Sequence, residues 1–435
     1  MYHALPLAKG PDLAGSLAAL RTEVPAAAPA EAPRRIPIDG PLDIDDLGLL
    51  AVLNDPELRQ ARGVMDQARA SLLQASLLPN PTASVSYAAL TGGNDKVPAW
   101  TASIAQDITS IITYHPRVKS ARFERDSVNA DLLWQEWQIA QRARLLALDL
   151  YWGEESLRLG RRQLELLSQE LEQVQAATRD GNLDLSALAP LLAAKASAEQ
   201  LLAAQSLNEL QSWQALDALL GLAGEVRFAI AAPQLPPVPA DVDSLIARLP
   251  ERRPDLIALQ LGYASADEAV RAAIIGQFPA FLLGAAWGQD TGNVRSIGPT
   301  ATFDVPLFDR GQGKVAAARA TRLALHEEYQ SRLDAAVGTT RGLIAQIERL
   351  ASDSAQARSM ADSAESMSQA AQQAYAQAAL DQRARTDYET TALQRQIEAV
   401  ALERTLGEDQ ITLTIELGLG LPQTRIAPSG EKSKP

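Results

Sequence analysis

Cysteine is absent from all 435 residues, which excludes a disulfide, a thiolate nucleophile and a thiolate metal site. Histidine is almost as scarce, and His3, His115 and His326 are too scattered to build a metal centre. Met360 and Met367 stand one heptad apart, a spacing that reads as helix-face packing rather than a soft-metal ladder. No apolar run approaches the ~18 residues of a membrane-spanning helix. Met1 to Gly10 has neither a basic start nor an apolar core, so an exported form would carry its signal ahead of this sequence. A basic excess is also missing: the net charge is −13 and the pI about 4.9, which argues against nucleic acid and favours cations at any lined surface. No Ser/His/Asp set, phosphate loop or pair of catalytic carboxylates emerges, so neither an enzyme nor a cofactor is predicted.

What the chain has is long helical periodicity. Steps of four and three from Ile139 pick out Ala143, Leu146, Leu150, Gly153, Leu157, Gly160, Leu164, Leu167, Leu171 and Val174, with no charge in the series. That is a coiled-coil seam held over about five heptads, which imposes a left-handed supercoil. A second stripe through Leu145, Leu148, Trp152, Leu159 and Leu166 gives the same helix a second neighbour. With only 5% aromatic residues, a few extended elements fit the composition better than several round domains.

Residues 1–41 read as an extended Pro/Ala-rich segment, with Pro25, Pro29, Pro33 and Pro37 at a spacing no regular helix tolerates. A helix is predicted from about Asp45 to Leu77, ended by Pro79 and Pro81. The period then changes to two: Ala83, Val85 and Tyr87 alternate with Thr82, Ser84 and Ser86, the cluster Gly92-Gly93-Asn94-Asp95 follows, and Trp100, Ala102 and Ile104 alternate with Thr101 and Ser103. Two strands of one hairpin, about 82–106, fit this pattern. The long helix starts near Pro116 and ends around Arg179-Asp180-Gly181-Asn182, where Gly and Asn supply left-handed residues. Its return helix begins near Pro190, which kinks it unless it lies in the first turn. The Pro-rich stretch 231–242 is a linker.

After the linker the pattern repeats at an offset of about 198 residues. Pro56-Glu57-Leu58 answers to Pro254-Asp255-Leu256, Thr101-Ala102-Ser103-Ile104 to Thr300-Ala301-Thr302-Phe303, Leu183-Asp184 to Leu380-Asp381, and Leu220-Gly221-Leu222 to Leu417-Gly418-Leu419. The first repeat is 42–230, with a helical hairpin at about 116–222. The second is 243–420, with a β-hairpin at about 280–305 and a helical hairpin at about 312–418, and residues 421–435 form a disordered tail. The second long helix carries a seam of smaller residues, from Ala336 and Thr340 through Ile347, Ser354, Ala361 and Ser368 to Ala371 and Tyr375. Arg252-Arg253 before Pro254 reads as the entry to a helix rather than a basic patch.

The fold class is therefore mainly α with a small β part, a tandem duplication of helix, β-hairpin, long helix and return helix. Long helices of about 60 residues would each span roughly 90 Å. The strands put Val85, Tyr87, Trp100, Ile104, Phe281, Leu283, Trp287 and Phe303 on apolar faces, the pattern of outer-membrane strands facing lipid. Four strands cannot close a barrel alone, so several copies would share one. A soluble periplasmic coiled-coil scaffold or adaptor is the competing reading, and the aromatic-bearing strands, which such a scaffold has no use for, argue against it.

Leu78-Pro79-Asn80-Pro81 before the first strand, Arg252-Arg253-Pro254-Asp255-Leu256 opening the second repeat, and Val305-Pro306-Leu307-Phe308 with Asp309 and Gly311 after the last strand occur here in one order, within a duplication. With these features the chain resembles the TolC-like outer-membrane efflux family from about Leu47 to Pro422. The resemblance implies a homotrimer, a shared twelve-stranded β-barrel in the outer membrane, and a coiled-coil tunnel in the periplasm that docks on an adaptor (membrane fusion) protein and an inner-membrane pump. It implies an efflux or secretion duct without chemistry of its own. In the family the helix turns furthest from the barrel close the tunnel and meet the adaptor. Here those turns hold Gly181, Asn182, Leu183 and Ser186 in the first repeat and Leu380 in the second, with Asp381, Arg383, Arg385 and Asp387 as gate candidates. The second turn lacks a counterpart of Gly181. Family members are often lipoproteins acylated on a cysteine just ahead of a segment like Tyr2-His3-Ala4-Leu5-Pro6-Leu7, so the missing cysteine suggests a start placed too late.

Overall fold

The computed structural model describes residues 7, 9–24, 34–92, 97–279 and 281–420. Pro25, Pro29 and Pro33, the Gly93-Asn94-Asp95 part of the first hairpin turn, most of the Tyr2–Leu7 segment and the 421–435 tail lie outside the described residues.

Two short strands, β1 (Glu23–Val24) and β2 (Arg34–Arg35), pair antiparallel near the start. Then come α1 (Ile44–Asn54), α2 (Pro56–Ser76), β3 (Thr82–Ala88), β4 (Ala99–Asp107), the short α3 (Ile108–Ile112), α4 (Tyr114–Arg179) and α5 (Leu188–Leu220). The second half holds α6 (Val242–Ala247), α7 (Leu249–Arg252), α8 (Pro254–Ile275), β5 (Phe281–Gln289), β6 (Arg295–Phe303), α9 (Gln312–Ala376) and α10 (Gln382–Glu416). The long helices α4 and α9 run 66 and 65 residues.

One expectation needs correction: the single helix predicted from Asp45 to Leu77 is two helices. Pro56 disfavours the helical conformation for the residue before it, and Asp55 sits at φ −54°, ψ 127°. Its carboxylate then accepts the Leu58 N–H at 2.9 Å, so the break itself caps α2. Pro190 does fall in the first turn of α5, where its missing N–H costs nothing.

The chain forms two compact units, each assembled from separate stretches. The unit holding residues up to 59, 135–248 and 336–423 centres on Leu47, Leu50, Leu148, Leu216 and Leu220, all without solvent exposure. Leu20 and Ile36, from the segment read as an extended lead-in, are buried in this core, and Leu42 and Ala14 bridge in parallel to Ile230 and Leu222. Along α4 the seam from Ile139 to Val174 has no exposed member, and along α9 every seam residue except Tyr375 is buried or half-buried. Small residues explain the second case: Ala336, Ser354, Ala361, Ser368 and Ala371 bury little area each but permit close helix approach.

The other unit holds residues 60–134 and 249–335. It holds a buried ion pair: the Arg253 guanidinium grips Asp255 with two hydrogen bonds of 3.0 and 2.9 Å while its Cζ lies 4.7 Å from the Trp134 ring centre. Both charged side chains are about 95% buried. Arg252-Arg253-Pro254-Asp255 is thus a helix entry built around an internal ion pair, with Arg253 as N-cap and Pro254 opening α8.

Candidate functional site

The sheet of the second unit has strand order β3-β4-β5-β6, antiparallel throughout. Period two in each strand and the observed register decide what shares a face. Tyr87 pairs with Trp100, Val85 with Ala102 and Ala83 with Ile104. Across the next ladder Ala102 pairs with Trp287 and Ile104 with Ala285, and across the last Trp287 pairs with Ile297, Leu283 with Ala301 and Phe281 with Phe303. All the strand residues singled out in the sequence therefore lie on one side of one sheet. It is an exposed side: Val85 is 80% accessible, Tyr87 67% and Phe303 59%.

Tyr87 and Trp100 stand at the end of the sheet toward the hairpin turns with Trp287 one row further in, level with Val85 and Ala102; Phe281 and Phe303 stand at the end joined to the helices, and Ala83, Ile104, Ala285 and Ala301 lie between. Two aromatic rims flank an aliphatic band. The opposite face carries Thr82, Ser84, Ser86, Thr101, Ser103 and Thr302, with Ser84 and Ser103 hydroxyls 2.8 Å apart. On that face a Cβ added to Gly284 would collide with the Ile104 carbonyl oxygen and with Ala105, so the glycine is required by close approach of the β4 backbone. Sequence reading missed Ile297, which is 82% exposed. Carrying the alternation backward from Ala301 through Pro299 would have reached it, but Gly298-Pro299 resembles a turn.

The helix turns are the second candidate region. At the first, Gly181 adopts φ +77° and the Asn182 N–H reaches back to the Ala177 carbonyl at 2.8 Å, closing α4. Asp184 accepts the Ser186 N–H at 2.8 Å, and the backbone hydrogen bond it receives from Ser186 holds its carboxyl below the usual carboxylate range. Leu183 and Leu185 are exposed there. At the second turn Ala378, not a glycine, takes the left-handed conformation at φ +58°, with the Ala379 N–H bonded to the Ala374 carbonyl at 2.9 Å. Leu380 is half-buried.

Of the charged candidates, Asp381 is the N-cap of α10, its carboxylate accepting the Ala384 N–H at 2.7 Å. Arg385 lies with its Cζ 4.6 Å from the Tyr375 ring centre and its Nε 3.6 Å from Glu389. Arg383 and Asp387 both act on Glu170 of α4, a buried carboxylate that sequence reading passed over. Burial pushes the Glu170 carboxyl up, Asp387 pushes it further, and Arg383 opposes both. The four candidates therefore divide into a cap, a stacked arginine and a pair coupled to α4.

No protein-family model matches the sequence, and comparison with curated proteins finds no match. Solved structures do match. A membrane protein from Pseudomonas aeruginosa aligns over 97% of this chain and 98% of its own, at TM-score 0.71 and 17% identity. The outer membrane protein VceC of Vibrio cholerae covers 87% of this chain and 96% of its own, at 0.67 and 20%. The Campylobacter jejuni CmeC outer membrane channel covers 88% and 86%, at 0.70 and 15%. The fold is that of the TolC-like outer-membrane channels. The sheet ends at β3 on one side and β6 on the other, and among the described residues neither edge has a further strand paired to it. Among the described residues no helix is long and apolar enough to cross a membrane.

Proposed function

We propose that this chain is the outer-membrane channel of a tripartite efflux or secretion system, a passive exit duct with its helical part in the periplasm. The observation that carries the reading is the exposed aliphatic band between two aromatic rims, on a sheet with both edges open. Three of the four strands have 9 residues and β3 has 7; the longer ones are about 30 Å long at ~3.3 Å per residue. Tilted by about 40°, they rise roughly 23 Å, close to the ~25 Å apolar band of outer-membrane barrels. Open edges invite strand pairing with another copy. Three copies joined β6 to β3 give a twelve-stranded ring, the closed solution of a head-to-tail interface. A soluble scaffold would leave this patch in water, which disfavours that reading.

Val85, Tyr87, Trp100, Ile104, Phe281, Leu283, Trp287 and Phe303 would then face lipid, joined by Ile297. The turns at Gly181, Asn182, Leu183, Ser186 and Leu380 would meet a periplasmic adaptor protein that links the duct to an inner-membrane pump. Asp381, Arg383, Arg385 and Asp387 would surround the closed end.

The natural absence of cysteine supplies the test. Ser84 and Thr300 lie on opposite edge strands with β4 and β5 between them, so at ~4.8 Å per strand their backbones are about 14 Å apart, too far for a disulfide within one sheet. A Ser84→Cys/Thr300→Cys chain treated with a short bifunctional maleimide in isolated outer membranes should give covalent trimers. Recovery of monomers alone, in the soluble periplasmic fraction, would exclude the channel and favour the scaffold.

A further inference from the structure

The helical wall contains a charged cluster that the duct reading does not use. Arg404 of α10 donates from one nitrogen to Asp149 of α4 at 3.0 Å and to Glu408 of α10 at 2.7 Å. A cavity of about 350 Å³ opens beside them, lined by Gly153 and Ser156 of α4, Gln205 and Ser212 of α5, and Thr405 of α10. From α5, Glu209 faces the same cavity. Asp409, next to Glu408, has its carboxyl pushed up by burial and by Glu408, against a hydrogen bond to Gln346 of α9.

The charges do not balance. Asp149 and Glu408 share one guanidinium, so the trio carries net negative charge when both carboxylates are ionised, and Glu209 adds to it. The imbalance sits beside a close packing point of α4 and α10: Leu148 adjoins Asp149, Gly407 adjoins Glu408, and a Cβ added to Gly407 would stand 3.1 Å from the Leu148 and Leu235 side chains. Carboxylate repulsion therefore acts next to a place where the side chain of Leu148 leaves room for glycine alone. A proton between the two carboxyls would remove the repulsion and add a hydrogen bond.

We propose that Asp149, Glu408 and Arg404 form a proton-controlled latch between α4 and α10: with one proton shared between the carboxylates the helices are fastened here, and loss of that proton loosens them. The energetics agree with the geometry. The Asp149 carboxyl is pushed up from 3.8 to about 7, first by burial and then by its hydrogen bond with Glu408, while Arg404 acts in the opposite sense. A carboxyl whose closed-state value exceeds its open-state value favours the closed state fully below about pH 4, and that advantage is lost as pH rises to about 7. Above that pH the contact stays at its weakest. The cavity lets water deliver the proton without moving a helix.

Hydrogen exchange of the full-length protein, measured between pH 5 and 8.5 and corrected for intrinsic rates, tests the latch. In the natural chain, amides of α4 around residues 145–153 and of α10 around 400–412 should open more as pH rises, by up to tenfold per unit, levelling off above about pH 7. Asp149→Asn keeps a hydrogen-bonding side chain but removes the titration, and should flatten this profile while leaving exchange in the β3–β6 sheet unchanged; Glu408→Gln leaves the buried Asp149 carboxyl to titrate without the shared proton, and should move the rise to lower pH. If Asp149→Asn fails to fold, the presence or absence of that shift in Glu408→Gln decides alone. A purely structural ion pair would lose protection equally at every pH in these variants and keep the slope and its position. A flat profile in the natural chain, or an unaltered profile in the variants, would overturn the proposal.

Discussion

Asp381 shows how one residue carries a charge reading and a backbone reading at once. Its place among Arg383, Arg385 and Asp387 marks it as a gate charge, yet in the folded chain its carboxylate is committed to the Ala384 N–H. Ala378, three residues earlier, pays for the same turn in strain. A non-glycine residue at φ +58° costs about 1 kcal/mol relative to glycine. Ala378→Gly should therefore stabilise the protein by roughly 0.5–1 kcal/mol, read as a raised urea midpoint at unchanged m-value, and Gly181→Ala should lose a similar amount. Equal midpoints for all three proteins would show that the turns carry no such strain. The Arg253–Asp255 pair makes a stronger demand. Asp255→Ala leaves a buried guanidinium without its bidentate partner and should cost about 3–5 kcal/mol, seen as loss of the folded protein at moderate urea. What was legible at this scale was residue type by motif, not commitment: Asp55 as a cap and Glu170 as a buried carboxylate depend on groups far along the chain or on a break that no period reveals.

Elements were legible where a period ran uninterrupted. Seven-residue spacing located the seams of α4 and α9, and period two located the strands, because every residue of a long regular element repeats the same constraint. Legibility failed where one residue overrode the pattern. Apolar spacing runs through Pro56 as if one helix continued, and Gly298-Pro299 hid the start of the β6 face although Pro is tolerated on an edge strand. Two substitutions test the elements themselves. Leu150, 4% exposed in the α4 seam, loses both its packing and its dry surroundings as Leu150→Asp, at an expected cost of about 4 kcal/mol; a normal yield of protease-resistant protein would mean that the seam is not buried. Gly284→Val, whose new side chain would meet the β4 backbone, should abolish β4–β5 pairing, detectable as lost amide protection in both strands, while Ala286→Val on the same strand should be far milder.

For the whole molecule, what sequence alone could not supply is the number of copies. In the proposed channel the edges of the sheet would pair with other copies, but a single chain's register says nothing of how many would close a ring. With three copies, each of the charged turn residues, two aspartates and two arginines, would recur three times around one axis. Asp387 acts on buried Glu170 together with Arg383, whereas Arg385 is held by Tyr375 and Glu389 on its own chain. These arrangements predict different electrical phenotypes. In planar bilayers Asp387→Ala should lower cation preference, because a ring of like carboxylates is what favours cations. Arg385→Ala frees Tyr375 and Glu389, so basal conductance should rise with little change in selectivity. Asp381→Ala removes a cap worth about 1 kcal/mol and should raise conductance fluctuations more than its mean. If all three variants conduct and select like the natural protein, the second turn does not bound the passage, and the gate proposed for it is excluded.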